Sequence, residues 1–182
     1  MIWKNKAQRY GSLLISLHWL MLLLIAAVYA CIELRELFPK GSDPREALKA
    51  WHFMLGMTVF ALVWLRLVTR LLGPNPPIVP ALAAWQKVSS TLMHAALYAL
   101  MIGMPLLGWL VLSAAGKPIP FFGLELPPLI AENKDLAKQF KEWHQTFGNI
   151  GYYLIGLHAA AALFHHYIQR DNTLLRMLPR RD

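Results

Sequence analysis

The sequence is poor in the residues on which most soluble chemistry depends. It has one cysteine, Cys31, so no intrachain disulfide can form, and neither an iron–sulfur cluster nor a thiolate metal site can be assembled. Cys31 itself reads as a small apolar packing residue. Charged residues make up 15% of the 182 and hydrophobic residues 57%, against the roughly one quarter and one half of soluble domains. No phosphate-binding loop, internal repeat or low-complexity tract occurs, so any chemistry must come from the apolar segments themselves.

Those segments are four runs, near Leu13 to Ile32, Trp51 to Leu72, Val88 to Ser113 and Gln145 to Ile168. Each approaches or exceeds the ~20 residues needed to cross a bilayer core of ~30 Å. The expectation is an all-α integral membrane protein, a four-helix transmembrane bundle forming one domain over residues 1–182. The first run follows a basic start and ends in a small-x-small pattern, as a signal peptide does. It is longer than a signal core and holds His18, so it reads as a retained helix. None of the four runs contains a carboxylate away from its ends.

Charge suggests an orientation. With both termini on one side, that side carries ten basic residues: Lys4, Lys6, Arg9, Arg66, Arg70, Lys87, Arg170, Arg176, Arg180 and Arg181. The other side carries the remaining eight. The basic side is expected to be cytoplasmic, with tails such as NTLLRMLPRRD lying against anionic lipid heads. A pI near 9.8 in so apolar a chain points to membrane lipid and not to nucleic acid. LGPNPPIVPA reads as a stiff cytoplasmic link and GSDPREALKA as a brief polar loop. The longest connection, Ala114 to Lys141, is expected to lie at the outer interface, with a short amphipathic helix leading into the last span.

Seven histidines occur: His18, His52, His94, His144, His158, His165 and His166. Ionisable groups inside membrane segments are costly and mark functional sites. One alone can be satisfied by a neighbouring carbonyl; a set spread over all four spans asks for a ligand. Fourteen residues at ~100° each fall within ~40° of a whole number of turns, so His144 and His158 share a helix face, ~21 Å apart along the axis. Gly151 stands midway with Gly148 nearby, Ala161 and Ala162 follow His158, and Gly56 lies one turn after His52. Such faces offer an imidazole and leave room for a flat macrocycle, which is what a haem needs. His52 and His144 open their spans at the outer side and can face each other across one iron. For the inner site, depth alone leaves His94 and His165 as open as His158. The fourteen-residue step favours His158, because it gives room for two stacked porphyrins. Arg66, fourteen residues after His52, can pair with a haem propionate or snorkel from the helix end.

The stretches ISLHWL around His18, WHFMLG around His52, VWLRLVTRLLGPNPPIVP and EWHQTFGNIGYYLIGLHAAAALFHHYIQRDNTLLRMLP carry a resemblance. Over nearly its whole length the chain resembles the bacterial di-haem cytochrome b-561 family, and within it the superoxide oxidases. The resemblance implies an inner-membrane bundle with two b haems, ligated by His18 with His158 and by His52 with His144. It implies that His94, His165 and His166 are not ligands. The absence of a Cys-x-x-Cys-His motif means that such haems are held non-covalently.

Bis-histidine iron is coordinatively closed and suits one-electron transfer. The leading expectation is an oxidoreductase that passes electrons from superoxide, at the outer face, to ubiquinone. Lys40, Arg45, Lys49, Lys117, Lys134, Lys138 and Lys141 are expected to attract the anion. Two other readings stand beside it. One is a cytochrome b anchor subunit fed by the electron-donor protein of a hydrogenase or dehydrogenase complex. The other is a histidine-based metal or proton transporter, which would want the intramembrane carboxylates this chain lacks. Trp19, Trp51, Trp85, Trp109 and Trp143 stand at helix ends where a quinone could dock, but interfacial tryptophan is ordinary in membrane helices.

Overall fold

The computed structural model describes residues 9–178. Four long helices dominate: α1 (Ser12–Leu34), α2 (Asp43–Leu71), α3 (Ala84–Ala114) and α4 (Lys134–Phe164). All four are long and apolar enough to cross a membrane. The 31 residues of α4 reach ~46 Å at ~1.5 Å per residue, well past a ~30 Å core.

The helices begin earlier than the apolar runs predict, because polar helix formers extend them. α2 starts at Asp43 and not Trp51, with Pro44 in its first turn and Asp43 and Glu46 beside the positive end of the helix dipole. α4 starts at Lys134, where the Asn133 side chain accepts from the backbone N–H groups of Asp135 (3.1 Å) and Leu136 (3.0 Å). The amphipathic helix expected ahead of the fourth span is therefore the first part of α4 itself. That span ends in a π turn, His165–Gln169, closed by Arg170 in the left-handed region.

α1 packs along α2, α3 along α4, and α2 against α3. α4 makes almost no close backbone approach to α1 or α2. Its only fully buried residue is Gly151, so a slot runs along one side of α4. Two apolar clusters fill the rest of the bundle. Met21, Val59, Val63 and Met101 pack at one level, and Phe53, Met57 and Ile119 nearer the outer end. Leu23, Trp64, Val88 and Tyr153 point outward, as a lipid solvent allows.

The α3–α4 connection is ordered. A two-stranded hairpin, β1 (Pro120–Phe121) and β2 (Leu124–Glu125), turns through Phe122 and Gly123, both at positive φ. It leans on α2 through the Trp51 and Phe122 rings, 6.1 Å apart. At the opposite end the C-terminal segment folds back over the bundle. Trp19 donates to the Met177 carbonyl (2.7 Å), Arg9 to that of Leu178 (2.5 Å), and Arg176 to that of Pro76. Asn172 ties the same segment to Val79. Within the tail expected to lie against lipid heads, Asn172–Met177 are tied to the protein by these bonds. Lys4, Lys6, Arg180 and Arg181 lie outside the described residues.

Candidate cofactor-binding site

Four of the seven histidines meet in two pairs across the slot beside α4. His52 of α2 faces His144 of α4 with ring centroids 6.0 Å apart, and His18 of α1 faces His158 of α4 at 6.3 Å. A metal–imidazole bond of ~2 Å on each side places two such centroids ~6 Å apart, so either pair has room for one metal atom. His94 of α3 also stands near His158, at 5.6 Å. α3 and α4 pack closely, which leaves no width for a macrocycle between them. The open seams lie between α4 and the α1–α2 pair.

The outer pair borders a cavity of about 1100 Å³ lined by Gly56, Gly108, Gly148, Tyr29 and Tyr152 as well as both imidazoles. That matches or exceeds the ~300–1,000 Å³ of ordinary small-molecule sites. The chain has made space there on purpose: a Cβ on Gly56 would meet nothing within 4 Å, and one on Gly108 would stand 3.3 Å from Cε1 of His144. His52 Nδ1 lies 2.9 Å from the Val28 carbonyl. A carbonyl only accepts, so Nδ1 carries the proton and Nε2 keeps a free lone pair for a metal. Nδ1 of His144 is buried without a hydrogen-bond partner.

Gly151 behaves differently from its sequence reading. The Tyr29 hydroxyl and Leu100 lie against it, leaving no place for a Cβ, and Tyr29 donates to the Gly148 carbonyl (2.8 Å). Gly151 admits the Tyr29 side chain of α1 and does not hold open a flat gap at that level, whereas a Cβ on Gly148 would meet only Met104, at 3.5 Å.

Arg66 reaches the inner pair: its Nη2 is 2.9 Å from His18 Nδ1, while its buried Nε has no hydrogen-bond partner. Tyr98, missed by sequence reasoning, sits beneath Arg66 and Arg70 with its hydroxyl buried and unpartnered. His94 Nδ1 is engaged with the Ser90 carbonyl at 2.7 Å. His165 is bound to the buried Asp171 carboxylate at 2.5 Å, away from the slot. At Asp171, burial works to raise the carboxyl's pKa, but bonds from His165 and Thr173 outweigh it and hold the group below its ordinary value.

The outer rim needs one correction. Arg45 is buried and donates to the Arg35 and Phe38 carbonyls (both 2.9 Å) and to both oxygens of Glu36 (3.0 Å). It braces the α1–α2 turn and is no free attractor. Lys49 is paired with Glu46. The cations left at the cavity mouth are Lys40, Lys117, Lys138 and Lys141.

The model of the prokaryotic cytochrome b561 family matches residues 9–180. The chain is 44% identical over 173 residues to cytochrome b561 homolog 1 of Escherichia coli (strain K12), an alignment covering 95% of this chain and 98% of that one. It is 38% identical over 174 residues to a Yersinia pestis protein named "Probable superoxide oxidase CybB", with 96% and 98% covered. A third relative, cytochrome b561 homolog 2 of Escherichia coli (strain K12), is 26% identical over 179 residues, with 98% and 95% covered.

Proposed function

The chain belongs to the prokaryotic cytochrome b561 family of haem b membrane proteins, and on that premise we propose that it carries electrons from superoxide at the outer face to ubiquinone through two haem b groups. His52 with His144 would hold the outer haem, and His18 with His158 the inner. The protein sits in the inner membrane with both termini cytoplasmic.

The observation that carries this reading is the geometry of the two imidazole pairs, 6.0 and 6.3 Å between rings, stacked fourteen residues apart along α4 beside an open slot. When bound, each haem supplies a one-electron carrier closed to oxygen by its two imidazoles. The chain's part is to hold and tune it. Val28 fixes the tautomer of His52, Gly108 makes space for the His144 ring, and Arg66 brings positive charge to the inner site. Lys40, Lys117, Lys138 and Lys141 at the cavity mouth favour an anionic donor. The balance is simple: two superoxide ions give two dioxygen molecules, and their two electrons with two protons convert one quinone to its quinol.

The similarity to a relative named for superoxide oxidation supports this donor. The test is to mix purified oxidised protein with superoxide and follow haem reduction, then add ubiquinone. The expected result is fast reduction that slows as salt screens the lysines over a Debye length of ~8 Å at physiological ionic strength, followed by reoxidation. Haems that stay oxidised with superoxide but are reduced by a hydrogenase or dehydrogenase partner would make the chain an anchor subunit.

A further inference from the structure

A charge imbalance sits beside the inner imidazoles. Arg66 and Arg70, one turn apart on α2, both lie over the ring of Tyr98, at 5.8 and 5.9 Å from its centroid. Toward the start of α2, by contrast, Arg35 and Arg45 share Glu36, and Lys49 has Glu46. Among the described residues no carboxylate pairs with Arg66 or Arg70. The charged and polar neighbours of Arg66 are Tyr98, Arg70, Tyr10 and the imidazoles of His18, His94 and His158, none of them an acid. Both guanidinium groups are half-buried; sharing one ring they repel each other, and cation–π contact offsets only part of that. Paired cations in a membrane-spanning helix call for a counter-charge. Two donors also point at nothing: Arg66 Nε and the Tyr98 hydroxyl are buried and unpartnered.

The hydrogen bond from Arg66 to His18 Nδ1 (2.9 Å) sharpens the point. An arginine only donates, so that contact requires a bare Nδ1. Were His18 to hold a metal through its other ring nitrogen, Nδ1 would carry the proton and could not accept from Arg66, whose guanidinium would be free for another acceptor.

We propose that Arg66, Arg70 and Tyr98 form the seat for the two propionate carboxylates of the inner haem. The proposal rests on the two-haem reading above. Two carboxylates match two uncompensated cations, and the unpartnered Nε and hydroxyl supply donors for their oxygens. The seat makes the inner haem easier to reduce, because a nearby cation favours the form that has gained an electron.

A redox titration of the purified holoprotein, followed in the visible spectrum with a haem count, tests this. The midpoint missing from His18→Ala identifies the inner haem. Arg66→Gln and Arg70→Gln are each expected to lower that midpoint by about tenfold in the reduction equilibrium, ~59 mV for one electron, and to leave the outer midpoint in place. Tyr98→Phe keeps the ring, removes the hydroxyl and is expected to give a smaller fall. If Arg66→Gln loses the inner haem altogether, Arg66→Lys restoring it supports the charge requirement, and failure of lysine to restore it contradicts it. An unchanged inner midpoint in both glutamine variants overturns the seat and assigns Arg70 to a lipid phosphate. A wild-type protein without haem would instead defeat the functional reading on which the seat depends.

Discussion

Each imidazole within a membrane must satisfy two nitrogens, and the seven histidines do so in different ways. His94 has its Nδ1 on Ser90, and His165 has the Asp171 carboxylate. His52 has one nitrogen on Val28 and the other free. His158 stands between His18 and His94, so the choice of its iron-sharing partner decides the inner site. His158→Ala is expected to remove mainly the inner haem, and His94→Ala to keep both. Two low-spin haems retained in the first variant, with one lost in the second, would reassign the ligand. Away from the slot, Asp171 carries a pH dependence. Its pKa is depressed in the fold, so the stabilisation it gives is present above the ordinary aspartate value of ~3.9 and is lost as pH falls through the lower folded value. Asp171→Asn should cost about 1–3 kcal/mol at neutral pH and flatten the acid limb of a thermal-unfolding profile. An unaltered acid limb would show that the carboxylate is not what anchors the returning segment. That His144 and His158 share a face was legible from a fourteen-residue step on a single helix, while their pairing with His52 and His18 followed from the family resemblance. Tyr98 and Arg70 were not, since they acquire meaning only once α3 lies against α2.

At the level of elements, the helices are longer than hydropathy implies, because PREALKA and KDLAKQFKEW are polar yet helix-forming and their caps lie outside the apolar runs. The centres of the four spans were readable from composition, whereas their starts were set by Asn133 and by the acids of the first turn of α2. The returning C-terminal segment was invisible to local pattern. It is held by Trp19, Asn172 and Arg176 reaching residues far away in sequence. α3 contributes a feature no periodicity announced: Gly108, which leaves only enough room for the His144 ring. Gly108→Val forces methyl groups toward that imidazole. Overpacking of this kind costs ~1–3 kcal/mol, enough to weaken retention of the outer haem roughly five- to 150-fold while the inner haem stays. The haem count with the residual spectrum reads this directly. Equal loss of both haems would mean that the substitution disrupts the bundle and not one site.

Over the whole molecule, the slot beside α4 gives the arrangement its use. A bundle that closed α4 onto α1 and α2 would bury more apolar surface; this one keeps those seams apart and spans them with facing imidazoles. The free lysines gather at the mouth of the cavity beside His52 and His144, and the uncompensated arginines lie at the His18 and His158 pair. The two ends of the electron path thus differ in charge setting. Everything in this account depends on both imidazole pairs holding iron. The most direct measurement is a quantitative haem assay on the purified chain, with the reduced-minus-oxidised visible spectrum of the same sample. Two filled imidazole pairs give close to two non-covalent, low-spin b haems per polypeptide, and a colourless protein from haem-replete cells, or a single haem per chain, would contradict the two-haem arrangement.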